Sequence, residues 1–272
     1  MSAELERLNK RRKALRAIER IKESPERVFL INYSCECFDH WETVRTPRIT
    51  AIAVHNLDSG PAAFFSIRKE AERLDIPLEE IDSRYDELEK AMLGEYFHFI
   101  RSRDDSIFLR WDRGGVRYGF AVLEQRYIEL GGKPYSLDRS RKYNLSRALM
   151  HIYGQRYIHH PRLENLIKKN GISSEGFLDR KLEIEAFNNK KYDELHISAQ
   201  RKAEALAGIF RLTADRSLET DARIGDIYGF SPGIFVEIAK SLWKDRAVRF
   251  IIKLAGVIAL IYVIFRALHI IF

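Results

Sequence analysis

The sequence predicts a mixed α/β domain followed by a C-terminal transmembrane helix. Two observations carry this prediction. The first is the element order: three strands with a hairpin, then helix, strand and helices, which is the order of a mixed sheet. The second is a contrast in composition. The last 23 residues, Phe250 to Phe272, read FIIKLAGVIALIYVIFRALHIIF and are interrupted only by Lys253, Arg266 and His269, whereas the rest of the chain is charged and patterned like a globular protein.

Taken in order, residues 3–23 form a charged helix with a thin apolar stripe of Leu8, Leu15, Ile18 and Ile21, closed by Glu23-Ser24-Pro25. Val28 to Phe38, VFLINYSCECF, reads as a buried strand, and Arg48 to Val54 as a second. The turn Asn56 to Pro61 then leads into a third strand, Ala62 to Ile67, which makes strands two and three an antiparallel hairpin. Helices are expected at 68–74 and 83–102, a fourth strand at Ser106 to Trp111, and a helix over 116–130. From residue 139 onward the pattern is mostly helical. Leu163, Leu166 and Ile167 mark a short helix, Tyr192 to Leu212 a long one, and Ile234 to Trp243 a final amphipathic helix after the break GFSPG. The domain boundaries that follow are 1–25 for the charged helix, 26–215 for the α/β domain, 216–249 for a linker with an amphipathic helix, and 250–272 for the anchor.

The chain has 272 residues, enough for one sizeable core plus attachments, and a formal net charge of +7. Much of the positive charge sits in Lys10 to Arg20 and Lys244 to Lys253, where it favours anionic lipid or nucleic acid, or simply solvates a helix face. The two cysteines, Cys35 and Cys37, share one strand face and are read as reduced thiols; they make no zinc pattern.

The uninterrupted apolar core of the tail, Leu254 to Phe265, is 12 residues. A span needs roughly 20. Lys253 and Arg266 close the gap by snorkelling to opposite interfaces. Arg249 and Lys253 share one helical face and Arg266 and His269 lie roughly opposite, so no single polar stripe favours an interfacial helix. Lys244, Arg246, Arg249 and Lys253 crowd the N-terminal side of the segment, which by the positive-inside rule places the large domain in the cytoplasm. The N-terminus has no apolar stretch of the secretory type.

His160 to Ile172 reads H-x-x-L-x-x-L-x-x-x-x-G-I. Before it come Ser34-Cys35-Glu36 on a buried strand, then Trp111-Asp112 at a strand end with Tyr118-Gly119-Phe120 after it; a late helix carries His196 and Arg201. This order resembles DEDD-type 3′–5′ exonucleases over residues 28–212. The resemblance implies a ribonuclease H-like fold and two-metal hydrolysis, in which four carboxylates hold two divalent ions and a histidine activates water.

The motifs depart from that family. Ser34 stands where the first Asp belongs, leaving Glu36; Gly115 matches the second Asp, with Asp112 three residues off; Arg201 stands at the last Asp, four residues and one after His196. The resemblance therefore implies a pseudo-exonuclease with Glu36, Asp112 and His196 as vestigial catalytic positions and no expected cofactor. In the alternative, Mg²⁺ or Mn²⁺ binds Glu36 and Asp112, with Asp39 or Asp193 recruited. Glu36 also reads as a strand carboxylate paired with a base such as Arg201, and His196 as a hydrogen-bonded helix histidine. His159-His160 reads as a loop, Gly114-Gly115 and Gly131-Gly132 as turns, and Trp111, Tyr118, Phe120 and Tyr127 as core or a base-stacking cluster.

Basic residues accompany the motifs: Arg110, Arg113, Arg117, Arg139, Arg141, Lys142, Lys168 and Lys169, with Arg201. A cleft that has lost its metals and kept such cations can still hold a phosphate backbone. Three functions stay open: a membrane-tethered sensor of nucleic acid, nucleotide or a partner protein, as in a bacterial defence effector; a tethered nuclease; or an oligomeric scaffold.

Overall fold

The computed structural model of the protein describes residues 3–36, 46–111 and 119–228. Contacts divide the chain into two units, Lys10–Ala222 and a second made from Met1–Asn9 and Arg223–Phe272. The described part of the second comprises the start of helix α1 (Ala3–Lys22) and the short helix α9 (Ile224–Tyr228).

The larger unit is an α/β fold around a five-stranded mixed sheet. Its strands are β1 (Val28–Cys35), β2 (Ile49–Asn56), β3 (Gly60–Ser66), β4 (Ile107–Arg110) and β5 (Lys142–Asn144), in the order β3-β2-β1-β4-β5. β1 pairs antiparallel with β2 and parallel with β4; β2–β3 is the expected hairpin, and β4–β5 is parallel. This arrangement is compatible with a ribonuclease H-like fold. The remaining helices are α2 (Ile67–Arg73), α3 (Tyr85–Arg101), α4 (Phe120–Glu129), α5 (Leu145–Tyr153), α6 (Arg162–Lys169), α7 (Arg180–Asn188) and α8 (Tyr192–Ala214).

β1 and β2 are buried along their whole length, so both faces of the central sheet must be covered. Strand alternation sorts the coverings. Phe29, Ile31, Tyr33 and Cys35 of β1 join a core with Ile67 and Ala71 of α2, Leu88, Met92 and Tyr96 of α3, and Phe120 and Leu123 of α4. Val28 and Leu30 face the other way, toward Ala14, Ile18 and Ile21 of α1, Leu149 of α5, Leu163 and Leu166 of α6, and Leu206 and Phe210 of α8. Where α8 crosses β2, Ala199 and Ala203 meet Ala51 and Ala53, and these small side chains let the helix sit close to the sheet.

Local chemistry starts several helices. Ser66 accepts from the Lys69 N–H at α2, Asn144 from Arg147 at α5, and Asp179 from Leu182 at α7, each supplying an orphan backbone donor with an acceptor. The first strand, expected to reach Phe38, ends at Cys35, and β5 is a three-residue strand that the periodicity does not announce. No helix among the described residues is long and apolar enough to cross a membrane. The expected amphipathic helix 234–243 and anchor 250–272 lie outside the described residues.

Candidate functional site

The carboxyl ends of the adjacent parallel strands β1 and β4 flank the point where the connections leave in opposite directions, the position at which open α/β sheets bind ligands. Residues 37–45 and 112–118, which follow those ends, are outside the described residues, and with them Asp112, Arg113 and Arg117. The described part of the site has one half on each face of β1.

On the α8 face, Ser34 is fully buried next to the register shift between Ser34 and Cys35. Its Oγ lies 3.1 Å from Glu183 Oε1 and 3.4 Å from the Leu195 carbonyl. The same Oε1 accepts from Ser198 Oγ at 3.3 Å and lies 2.7 Å from Lys202 Nζ. The Glu183 and Lys202 side chains are only 2% and 1% exposed. The Lys202 ammonium also sits 4.7 Å from the centre of the Phe177 ring, and Ser198 Oγ accepts from the Leu178 N–H at 3.1 Å. One step back along β1, on the same face, Asn32 is buried and its Nδ2 makes no hydrogen bond among the described residues.

This is a closed ionic cluster. α7 supplies the carboxylate, α8 the ammonium and one hydroxyl, and β1 the other hydroxyl. Its chemistry does not fit a two-metal centre. One carboxylate faces Ser34, and the oxygen nearest the serine is already engaged by an ammonium and two hydroxyls. A divalent ion placed a few Å from Lys202 meets like-charge repulsion on the order of several kcal/mol. Among the described residues no group of three or more His, Cys, Asp or Glu side chains is arranged to hold a metal.

Glu36 is half-buried just past β1. Its N–H donates to the Arg48 carbonyl at 2.9 Å, and the Arg48 N–H donates back to its Oε2 at 3.4 Å. Arg201 is exposed on α8 and pairs with Glu204 at 3.0 Å, so Glu36 and Arg201 have different neighbours. His196 packs against Phe64 of β3, with ring centroids 3.5 Å apart. Burial, then the charges of Arg68 and Lys69, hold its pKa below the usual range. β3 is two strands from β1, about 9–10 Å across the sheet. His196 is therefore not gathered with Ser34 and Glu183.

On the opposite face of β1, Tyr33 Oη accepts from the Gly119 N–H at 2.9 Å. Ile31, Tyr33, Arg110, Gly119, Phe120 and Leu123 line a cavity of about 10 Å³, the space of one water. Gly119 has φ +111°, and the Arg110 guanidinium occupies the place a Cβ would take. Arg110 and Lys142 lie over the Phe120 ring, at 5.4 and 5.6 Å from its centre, and Lys142 also pairs with Glu124 at 2.7 Å. Arg139 is exposed, and Arg141 reaches the Ser106 carbonyl at 3.5 Å. Lys168 and Lys169 belong to α6, on the other side of the sheet from Phe120, and Lys169 pairs with Asp221 at 2.8 Å. Among the described residues, the basic side chains near Phe120 and those of α6 thus lie on opposite sides of the sheet.

Sequence reasoning missed Lys202 and Glu183. The available signal was the buried stripe of α8, where Leu195, Ala199, Lys202, Leu206 and Ile209 recur at helical spacing with a lysine among them. A buried lysine requires an anionic partner.

No family model, no curated protein and no solved structure matches this chain.

Proposed function

We propose that the Lys10–Ala222 unit is a ribonuclease H-like, exonuclease-like domain that does not catalyse metal-dependent hydrolysis and acts by binding, held at a membrane by residues 250–272. The single observation that supports this reading is the buried Glu183–Lys202 pair beside Ser34. In this reading Ser34 holds the strand position where a metal-dependent exonuclease needs a free carboxylate, and the pair beside it is a cation and a carboxylate that is already engaged. The ammonium paired with Glu183 stands in for the kind of charge that a metal supplies in an active enzyme.

The ligand class proposed is a nucleic-acid or nucleotide phosphate. Arg110 and Lys142, near the carboxyl end of β4 and held over the buried Phe120 ring, bring positive charge to this edge of the site. The test is fluorescence anisotropy of labelled single-stranded DNA and RNA with the full chain in detergent and without metal. Salt-sensitive binding that weakens in Arg110→Gln/Lys142→Gln is expected. No binding at low salt rejects the nucleic-acid ligand and leaves a protein partner or a scaffold role.

A further inference from the structure

The exposed face of α1 is strongly basic. From Lys10 to Lys22 the helix has seven Lys or Arg residues and one Glu. Ala14, Ile18 and Ile21 are buried in the core, so the helix is already packed on its apolar side. Arg12, Lys13, Arg16 and Arg20 are exposed and, at about 100° per residue, fall in one sector roughly opposite that buried stripe. Arg11 turns inward, its Nε donating to the Ile152 carbonyl at 3.0 Å. Glu19 is held by Arg216 at 2.7 Å.

The positive surface extends beyond the helix. Arg147 is exposed on α5, and after burial it is Lys10 and Arg147 that depress the His151 pKa, so cations from both helices act on one place. The segment leading out of α8 is fastened to the same helix: Asp215 accepts from Lys22 at 2.5 Å and Arg216 donates to Glu19. The chain therefore leaves α8 along the basic helix.

We infer that the Arg12–Lys13–Arg16–Arg20 face of α1 is a contact surface for anionic lipid headgroups. The inference rests on the reading of residues 250–272 as a membrane anchor. The apolar stripe of α1 is taken up by the core, so the helix cannot insert. The contact is electrostatic, and clusters of this size suit an anionic leaflet. A nucleic-acid surface is less well matched, because residues 1–27 contain no Phe, Tyr or Trp on which bases could stack. Contact through α1 would set the orientation of the tethered domain against the bilayer.

The test uses the full chain in nanodiscs of neutral phosphatidylcholine and of phosphatidylcholine mixed with phosphatidylglycerol. The acetylation rate of Lys13 is followed by mass spectrometry, with the exposed Lys133 and Lys181 as references. Lys13 is expected to react about fivefold more slowly in the anionic discs. The protection is expected to vanish between about 0.1 M and about 1 M salt, as the Debye length falls from about 10 Å to about 3 Å. It is also expected to be lost in Arg12→Gln/Arg16→Gln/Arg20→Gln. Equal Lys13 rates in both discs, or equal slowing of the reference lysines, overturns the inference. Protection by a single-stranded oligonucleotide in neutral discs, without protection by phosphatidylglycerol, also overturns it and makes α1 a nucleic-acid surface. Failure of the chain to enter even neutral discs refutes the anchor reading instead, and this is a separate observation.

Discussion

Lys202 Nζ lies 2.7 Å from Glu183 Oε1 with both side chains essentially removed from solvent, and the Ser34 hydroxyl of the central strand closes the cluster at 3.1 Å. Breaking a buried pair from one side strands the other charge. Lys202→Met alone is expected to cost about 3–5 kcal/mol, and Glu183→Leu alone a similar amount. The double variant Glu183→Leu/Lys202→Met is expected to recover most of that loss, because no charge is left uncompensated. Urea unfolding of the four proteins gives the coupling. Additive losses would show that the two groups do not depend on each other.

Close approach of α8 to the sheet depends on alanines. Ala203, 1% exposed, packs with Ala199 on Ala51 and Ala53. Ala203→Leu forces the helix away or displaces β2 and is expected to cost about 1–3 kcal/mol. Ala62, exposed on β3, is the matched control, with an expected change within about 0.5 kcal/mol for Ala62→Ser. Chemical denaturation measures both.

Among the described residues, three histidines have pKa values held below the ordinary 6.5: His55 through burial and then Arg211, His151 through burial and then Lys10 and Arg147, and His196 through burial and then Arg68 and Lys69. Between each folded value and 6.5 the unfolded chain binds more protons, so stability rises with pH in that window. Their contribution is fully present above 6.5 and is lost as pH falls through the lower folded values. The urea midpoint is expected to drop between about pH 7.5 and about pH 5.5, and to drop less in His55→Gln. A flat profile contradicts the assignment.

Gly119 combines a positive φ of 111° with a guanidinium where a side chain would begin. Gly119→Ala is expected to cost about 1–3 kcal/mol from backbone strain. Arg110→Ala should not restore it, because removing the guanidinium leaves φ unchanged. A thermal melt of the single and double variants tests this. Full rescue would make the clash, not the backbone, the cause.

Much of the sheet was legible in the sequence because its signals are local. The hairpin of β2 and β3 announces itself through the turn Asn56 to Pro61, and α3 and α8 through long apolar periodicity. β5 was not, since Lys142–Asn144 is too short for alternation to register and exists only by pairing with β4. At the site, motif spacing drew attention to Arg201, yet the buried cation is Lys202. A one-residue step turns a helical side chain by about 100°, from solvent to core. Glu183 was invisible because its partners, Ser34 and Lys202, are brought to it only by tertiary packing. The second motif, with Asp112, and the expected anchor 250–272 lie outside the described residues.

The most direct test of the central claim is metal-dependent cleavage. The full chain in detergent is incubated with end-labelled single-stranded DNA and RNA in Mg²⁺ or Mn²⁺, and the products are separated on a denaturing gel. With Lys202 and Glu183 consuming the position beside Ser34, no cleavage above the metal-free control is expected. Cleavage that requires Mg²⁺ or Mn²⁺ and disappears in Glu36→Gln would contradict the account and restore the reading as an active nuclease.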